Sequence, residues 1–225
     1  MSGTTAINAL RYPTLSDSPN AQTAVQNLAS DLDPKLVPVY STTGNRDSAI
    51  TAPTQGQLAY VTGTGELYRY TGSLWVGAIP RDVYKNAIES VTSSTAMQDD
   101  QDLFLSVEAN STYVARLTMQ YDGATAGDMK FQFNLPAGST AYGAGGTALY
   151  LSTADVLNLS CFAATDVGSC GAGGVGSFRS LIVQNMMFQT SSTAGTCKIQ
   201  WAQVVSNATA TRVDKGGVLS LLKVG

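Results

Sequence analysis

The 225-residue sequence contains no histidine. That removes the commonest general base, the Ser-His-Asp and Cys-His schemes, and every zinc site that needs imidazole. Charge is scarce as well: 13% of residues are charged, and 13 basic against 16 acidic side chains leave a formal charge of -3. A basic footprint for a phosphate backbone is missing, so nucleic acid is not an expected partner. Cysteine is limited to Cys161, Cys170 and Cys197. Three thiols cannot all pair within one chain, and their density is far below that of a disulfide scaffold, so they read as reduced. No apolar run approaches the length of a membrane span, and no membrane partner is expected. The start, MSGTTAINALRYP, has neither a basic n-region nor an apolar h-region, which predicts a chain made in a cytosol without a secretory signal.

What is present is apolar and small. Hydrophobic residues make up 44% of the chain, enough for a proper core, and 22 glycines accompany many Ser, Thr and Ala. A polar but weakly charged surface of this kind is a feature of extracellular and particle-forming β proteins.

Residues 1–38 begin as an extended arm in which Pro13 and Pro19 prevent regular helix, before Ser18-Pro19-Asn20 offers a helix start. Ala21, Ala24, Val25, Leu28 and Leu32 then recur at spacings of three and four, predicting a short amphipathic helix over about 20–32 that Asp33-Pro34 ends. A helix this short is marginal alone and needs a surface to pack on. It either caps its own domain or forms a small seam between identical subunits.

Residues 39–80 read as a small β-meander: Leu58-Ala59-Tyr60-Val61, Glu66-Leu67-Tyr68-Arg69-Tyr70 and Leu74-Trp75-Val76, joined by glycine-bearing turns. Tyr60, Tyr68, Tyr70 and Trp75 fit the filling of a tiny β core better than a sugar platform. Residues 81–90 are expected as a linker, and 91–225 as an antiparallel, jelly-roll-like sandwich. Tyr113, Ala115, Leu117, Met119 and Tyr121 share one face of a strand, as do Met129, Phe131, Phe133 and Leu135. Leu157, Leu159 and Cys161 alternate in the same way, and further strands are expected at 147–152, 177–189, 196–205 and 217–224. In the 196–205 strand Cys197, Ile199, Trp201, Gln203 and Val205 point one way. The fold class is therefore mainly β, with a short N-terminal arm and helix.

Candidate chemistry is thin. Asp99, Asp100 and Asp102 are the best cluster for a cation or a carboxylate pair, but the EF-hand glycine and glutamate are missing and a polar turn before a strand explains them. Asp99 and Asp100 face opposite ways in an extended strand, whereas Asp100 and Asp102 can share a face. The glycine-rich stretch 168–176 lacks the Lys-Ser/Thr of a phosphate cradle and reads as a flexible loop. No catalytic, cofactor-binding or metal-ligating residue is assigned, and no cofactor is expected.

Longer stretches carry a resemblance. Leu10-Arg11-Tyr12-Pro13, Ser16-Asp17-Ser18-Pro19-Asn20, the helix end Leu28-Ala29-Ser30-Asp31-Leu32-Asp33, and the run from Arg46-Asp47 through Pro53-Thr54-Gln55-Gly56-Gln57-Leu58-Ala59-Tyr60-Val61 to Leu67-Tyr68-Arg69-Tyr70-Thr71-Gly72 and Trp75 resemble minor tail and fibre proteins of tailed bacteriophages infecting actinobacteria. Val91-Thr92-Ser93-Ser94-Thr95, Ala109-Asn110-Ser111-Thr112-Tyr113, Pro136-Ala137-Gly138 and Gln200-Trp201-Ala202-Gln203 resemble the β domain that closes many such virion proteins. The resemblance implies a non-enzymatic virion structural protein, a homotrimer attached to other virion proteins through residues 1–38, assembled in the host bacterial cytoplasm. Head fibre or capsid decoration proteins draw on similar modules, and a module binding host cell-wall glycan is a further alternative.

Overall fold

The computed structural model describes residues 3–4, 10–12, 14, 20–32, 36–123, 126–150, 156–157, 170–172 and 176–225. It divides into two compact units, Met1–Trp75 and Val76–Gly225.

In the first unit β1 (Gly3–Thr4) pairs antiparallel with β2 (Arg11–Tyr12), and α1 spans Ala21–Leu32. Asn20 caps the helix, its Oδ1 accepting from Thr23 N at 3.0 Å. The arm is tied to α1 by charge: Arg11 donates from its backbone N (2.8 Å) and Nε (2.9 Å) to Asp31 Oδ2. Ala24, Asn27, Asp31 and Leu32 of α1 are partly covered, whereas Ala21, Val25 and Leu28 of the expected apolar stripe are exposed.

Four strands follow: β3 (Val39–Tyr40), then after α2 (Thr43–Ala49) come β4 (Leu58–Val61), β5 (Glu66–Tyr70) and β6 (Trp75–Gly77), in the sheet order β3-β4-β5-β6. The three meander strands lie where the sequence places them. The parallel β3 and the helix α2 were not expected, because TGNRDSA carries no apolar period. What starts α2 is Thr42, whose side chain accepts from Asn45 N at 3.1 Å. Gly63 permits the close approach of this sheet's turn to β3, since a Cβ there would meet Ser41 O at 2.5 Å.

The second unit runs β7 (Arg81–Tyr84), β8 (Glu89–Val91), β9 (Gln98–Val107), β10 (Thr112–Gly123), β11 (Met129–Asn134) and β12 (Thr140–Tyr150). After these come β13 (Val156–Leu157), β14 (Cys170–Ala172), β15 (Gly176–Gln189), β16 (Gly195–Gln203), β17 (Thr211–Val213) and β18 (Val218–Lys223). An eight-stranded sheet has the path β13-β12-β15-β10-β17-β8, with β18 bridging β10 and β7. A four-stranded sheet has the order β14-β11-β16-β9. Every pairing with a register in this unit is antiparallel. Inner residues of both sheets form one core, so the unit is a β sandwich.

The core follows the sequence's alternation closely. Tyr113, Ala115, Leu117, Met119 and Tyr121 of β10 are all fully buried, and so are Met129 and Phe131 of β11 and Cys197, Ile199 and Trp201 of β16. Tyr113 stacks on Phe188 with ring centroids 5.4 Å apart. Burial of each such large side chain contributes roughly 1.5–3 kcal/mol, which is why a period of two is legible here.

Four expectations change. Residues 81–90, expected as a linker, supply β7 and β8, which pair with β18 and β17. Asp99, Asp100 and Asp102 lie within β9 and not in a turn before it. Cys170 and Gly171 of the expected glycine-rich loop pair with Phe131 and Lys130 as part of β14. Val205 is 55% exposed, because β16 ends at Gln203 and Val204 N and Val205 N turn aside to Gly127 O. Leu159 and Cys161 lie outside the described residues.

Candidate functional site

Lys85 follows directly on β7 and has its backbone locked: its N donates to Gly217 O and its carbonyl accepts from Gly216 N, both at 2.8 Å. Its side chain is fully buried. A buried ammonium must be paired, and three carboxylates meet it. Nζ lies 3.1 Å from Asp100 Oδ1 and 3.0 Å from Asp100 Oδ2, 3.7 Å from Asp102 Oδ2, and donates to Glu89 Oε1.

The carboxylates are held by backbone donors as well. Asp100 Oδ1 accepts from Asp102 N (3.0 Å) and Leu103 N (2.9 Å), folding β9 locally on itself. At that point the partners on β9 step from Phe104 to Asp99 while β16 advances only from Lys198 to Gln200. Asp102 Oδ2 accepts from Asn86 N (2.9 Å), and Glu89 Oε1 from Gln101 N (2.9 Å). The knot therefore ties the β7–β8 connection, in the larger sheet, to β9 in the smaller one.

Burial pushes the Lys85 ammonium down, but its bonds to Glu89 and Asp100 outweigh that and raise its pKa above the ordinary value. The backbone N–H of Asn86, chiefly, holds the Asp102 carboxyl below its usual range.

Glu89, Asp100 and Asp102 each offer an oxygen within 4.8 Å of the others, which is the spacing a hard cation uses. Here the Lys85 ammonium takes that central position. As a hydrolytic pair they are poorly suited, since retaining or inverting chemistry needs two carboxylates roughly 5–10 Å apart with a sugar between them, and Asp100 is 2% exposed.

Asp99 does not join them. It accepts from Lys198 Nζ and from Gln200 Nε2, each at 2.6 Å, and these bonds, that from Lys198 foremost, hold its carboxyl low. Thus Asp100 and Asp102 come together and Asp99 stands apart, the grouping expected, although β9 reaches it by folding on itself at Asp100 and not by regular alternation. Lys85 and Glu89 were missed because they fall in the stretch expected as a linker. The available signal was the i, i+4 spacing of Lys85 and Glu89.

The first unit has a buried cation of its own. The Arg46 guanidinium lies 4.7 Å from the ring centroids of both Tyr68 and Trp75 and pairs with Asp47 at 2.8 Å. Tyr68 and Trp75 are buried with Ala59 and Val61, Tyr70 packs against them, and Tyr60 is exposed. These aromatics are core and a cation box; they do not form an open platform for a sugar. Cys197 is a buried free thiol, and desolvation pushes its pKa up to about 12. It is chemically quiet.

No helix among the described residues is long and apolar enough to cross a membrane. The sequence matches no protein-family model and no curated protein. A solved structure, the tripod (BppUct-A-L) from the baseplate of bacteriophage Tuc2009, is similar at a TM-score of 0.32 and 9% identity, covering 95% of this chain and 99% of that chain. A likeness of that size carries no inference about what this chain does.

Proposed function

We propose that this chain is a non-enzymatic structural protein of a phage virion, a homotrimeric minor tail or fibre component whose β sandwich projects outward. The observation that carries the non-enzymatic part is the Lys85 knot: the best carboxylate cluster in the sequence is filled by an ammonium and by backbone donors. Support for the virion part comes from the sequence resemblance to minor tail and fibre proteins and from a weakly charged, mainly β chain. Residues 1–38 are the proposed attachment segment, with α1 leaving Val25, 66% exposed, and Leu28, 40% exposed, of its apolar stripe uncovered.

The test is made on purified particles of the phage that encodes the chain. Immunogold labelling should decorate the tail, and deletion of residues 1–38 should leave a folded sandwich that no longer enters particles. Labelling confined to the head would favour a decoration protein, and absence from particles would end the virion reading. Turnover of host cell-wall polymer that is lost in an Asp100→Asn, Asp102→Asn variant would overturn the non-enzymatic reading.

A further inference from the structure

The inner face of the eight-stranded sheet covers the sandwich core, and its outer face is chemically unusual. Cross-strand register aligns Asp82 of β7, Ser220 of β18, Arg116 of β10 and Asn185 of β15 in one row. All four belong to the outward set, with Asp82 and Arg116 exposed and the flanking Arg81, Leu219, Leu221, Ala115 and Leu117 buried. On one side of this row lie Leu222, Val114 and Met187; on the other lie Tyr84, Val218, Thr118 and Val183. A face left to water would carry polar and charged side chains at such positions. This one carries mainly apolar side chains on both sides of the polar row, Thr118 being the exception, with Tyr84 58% and Met187 43% exposed.

The charges are arranged with equal economy. Among the outward positions of β7, β10, β18 and residues 181–189 of β15, Asp122 is clamped by Arg212 at 2.6 Å, which leaves Asp82 and Arg116 as the other charged side chains. Neither makes an ion pair among the described residues. They stand two strands apart, about 10 Å at the usual strand spacing, with Ser220 between them. A two-fold axis along β18 at Ser220 brings Arg116 of each copy over Asp82 of the other. A three-fold axis along the strands brings the Arg116 side of one copy to the Asp82 side of the next. Either symmetry makes the pattern complementary to itself, while the apolar rows supply the buried surface.

The geometry points to this outer face as the contact between copies of the chain, with a second copy as its occupant and Arg116 opposite the neighbour's Asp82. The inference deepens the oligomeric part of the proposed function and does not depend on a place in the virion.

Sedimentation of the full chain over a concentration series, with near-ultraviolet circular dichroism to verify folding, tests it. The parent should associate. Arg116→Asp and Asp82→Arg, each placing like charges across the contact, should raise the dissociation constant about tenfold or more. The double swap Arg116→Asp, Asp82→Arg should restore it. A parent that stays monomeric, single variants that associate like the parent, or a folded double swap as weak as the singles would each overturn the assignment. Particle incorporation is scored separately. A packaged monomer sinks this contact alone, and an oligomer that is never packaged sinks the virion reading alone.

Discussion

Among the described residues, the most deeply buried basic side chain of each unit is Arg46 in the first and Lys85 in the second, and the two are held by opposite chemistry. Arg46, 3% exposed, is sandwiched by Tyr68 and Trp75, with the half-exposed Asp47 as its counter-ion. Lys85, 2% exposed, sits among Glu89, Asp100 and Asp102. The difference follows from the cations themselves. A guanidinium is planar and weakly hydrated, so ring faces compensate much of its lost water; an ammonium is a compact, strongly hydrated point charge and needs oxygen. The meander's core is small, with Ala59, Val61, Tyr68 and Trp75 as its buried apolar cluster among the described residues. The sandwich has two sheets to tie together, and its knot does so. Because Trp75 lies in one unit and Trp201 in the other, and the chain has only these two tryptophans, each unit has its own fluorescent reporter.

The largest expected effect is from Lys85→Ala. It leaves three carboxylates, one of them fully buried, around an empty space, and removing one partner of a buried ion cluster costs about 3–5 kcal/mol. Denaturant unfolding followed by Trp201 in a Trp75→Phe background should register that loss. A loss below about 1 kcal/mol, the level of an exposed pair, would mean the knot does not hold the sheets. The first unit's cation is tested by Arg46→Lys, read by Trp75 in a Trp201→Phe background. The ammonium forfeits the fit between two rings, with an expected cost of about 1–2 kcal/mol; an unchanged midpoint would make the stacking incidental.

Much of this contrast was hidden in the sequence, while the frame around it was not. β10, β11 and β16 were legible because each alternates large apolar with polar side chains, and burial enforces that period. Lys85 and Glu89 were not, since a lysine followed by a polar turn reads as exposed chain, and nothing local shows that β9 lies against it. Asp100 was obscured by its own hydrogen bonds to Asp102 N and Leu103 N, which break the strand's period where the charge matters. Arg46 was hidden because the residue that α2 turns inward is itself polar, so the helix has no apolar stripe to find. Val205 went astray for a plain reason: alternation predicts facing but says little about where a strand stops.

A smaller effect comes with pH. The Asp102 carboxyl is held low in the folded chain, so it stabilises the fold above the unfolded value of about 3.9, and the contribution is lost as pH falls through the folded value. Lys85 is held high, so its contribution is complete below the unfolded value of about 10.4 and disappears only as pH rises through the folded one. The Trp201 melting temperature should be flat between these limits and fall below about pH 4. In Asp102→Asn the acid fall should be shallower; an equally steep fall would place the titrating group elsewhere.

The smallest effect is expected at Asp99. Its partner Lys198 is at 2.6 Å, closer than Asp100 is to Lys85, yet the two side chains are 43% and 33% exposed. Water screens such a pair, and Asp99→Ala should cost less than about 1 kcal/mol in the Trp201 transition. A cost rivalling Lys85→Ala would show that burial is not what separates the two clusters.

The central claim, that Lys85 fills the carboxylate cluster and makes it a fastening, is tested most directly by a calorimetric titration of the intact protein with calcium and manganese, with the Trp201 melting temperature followed alongside. The account predicts no binding heat at the cluster, and the same melting temperature with either metal or with EDTA. A saturable heat that raises the melting temperature, and that is abolished in Asp100→Asn, would contradict it by showing that the ammonium yields its place to a metal ion.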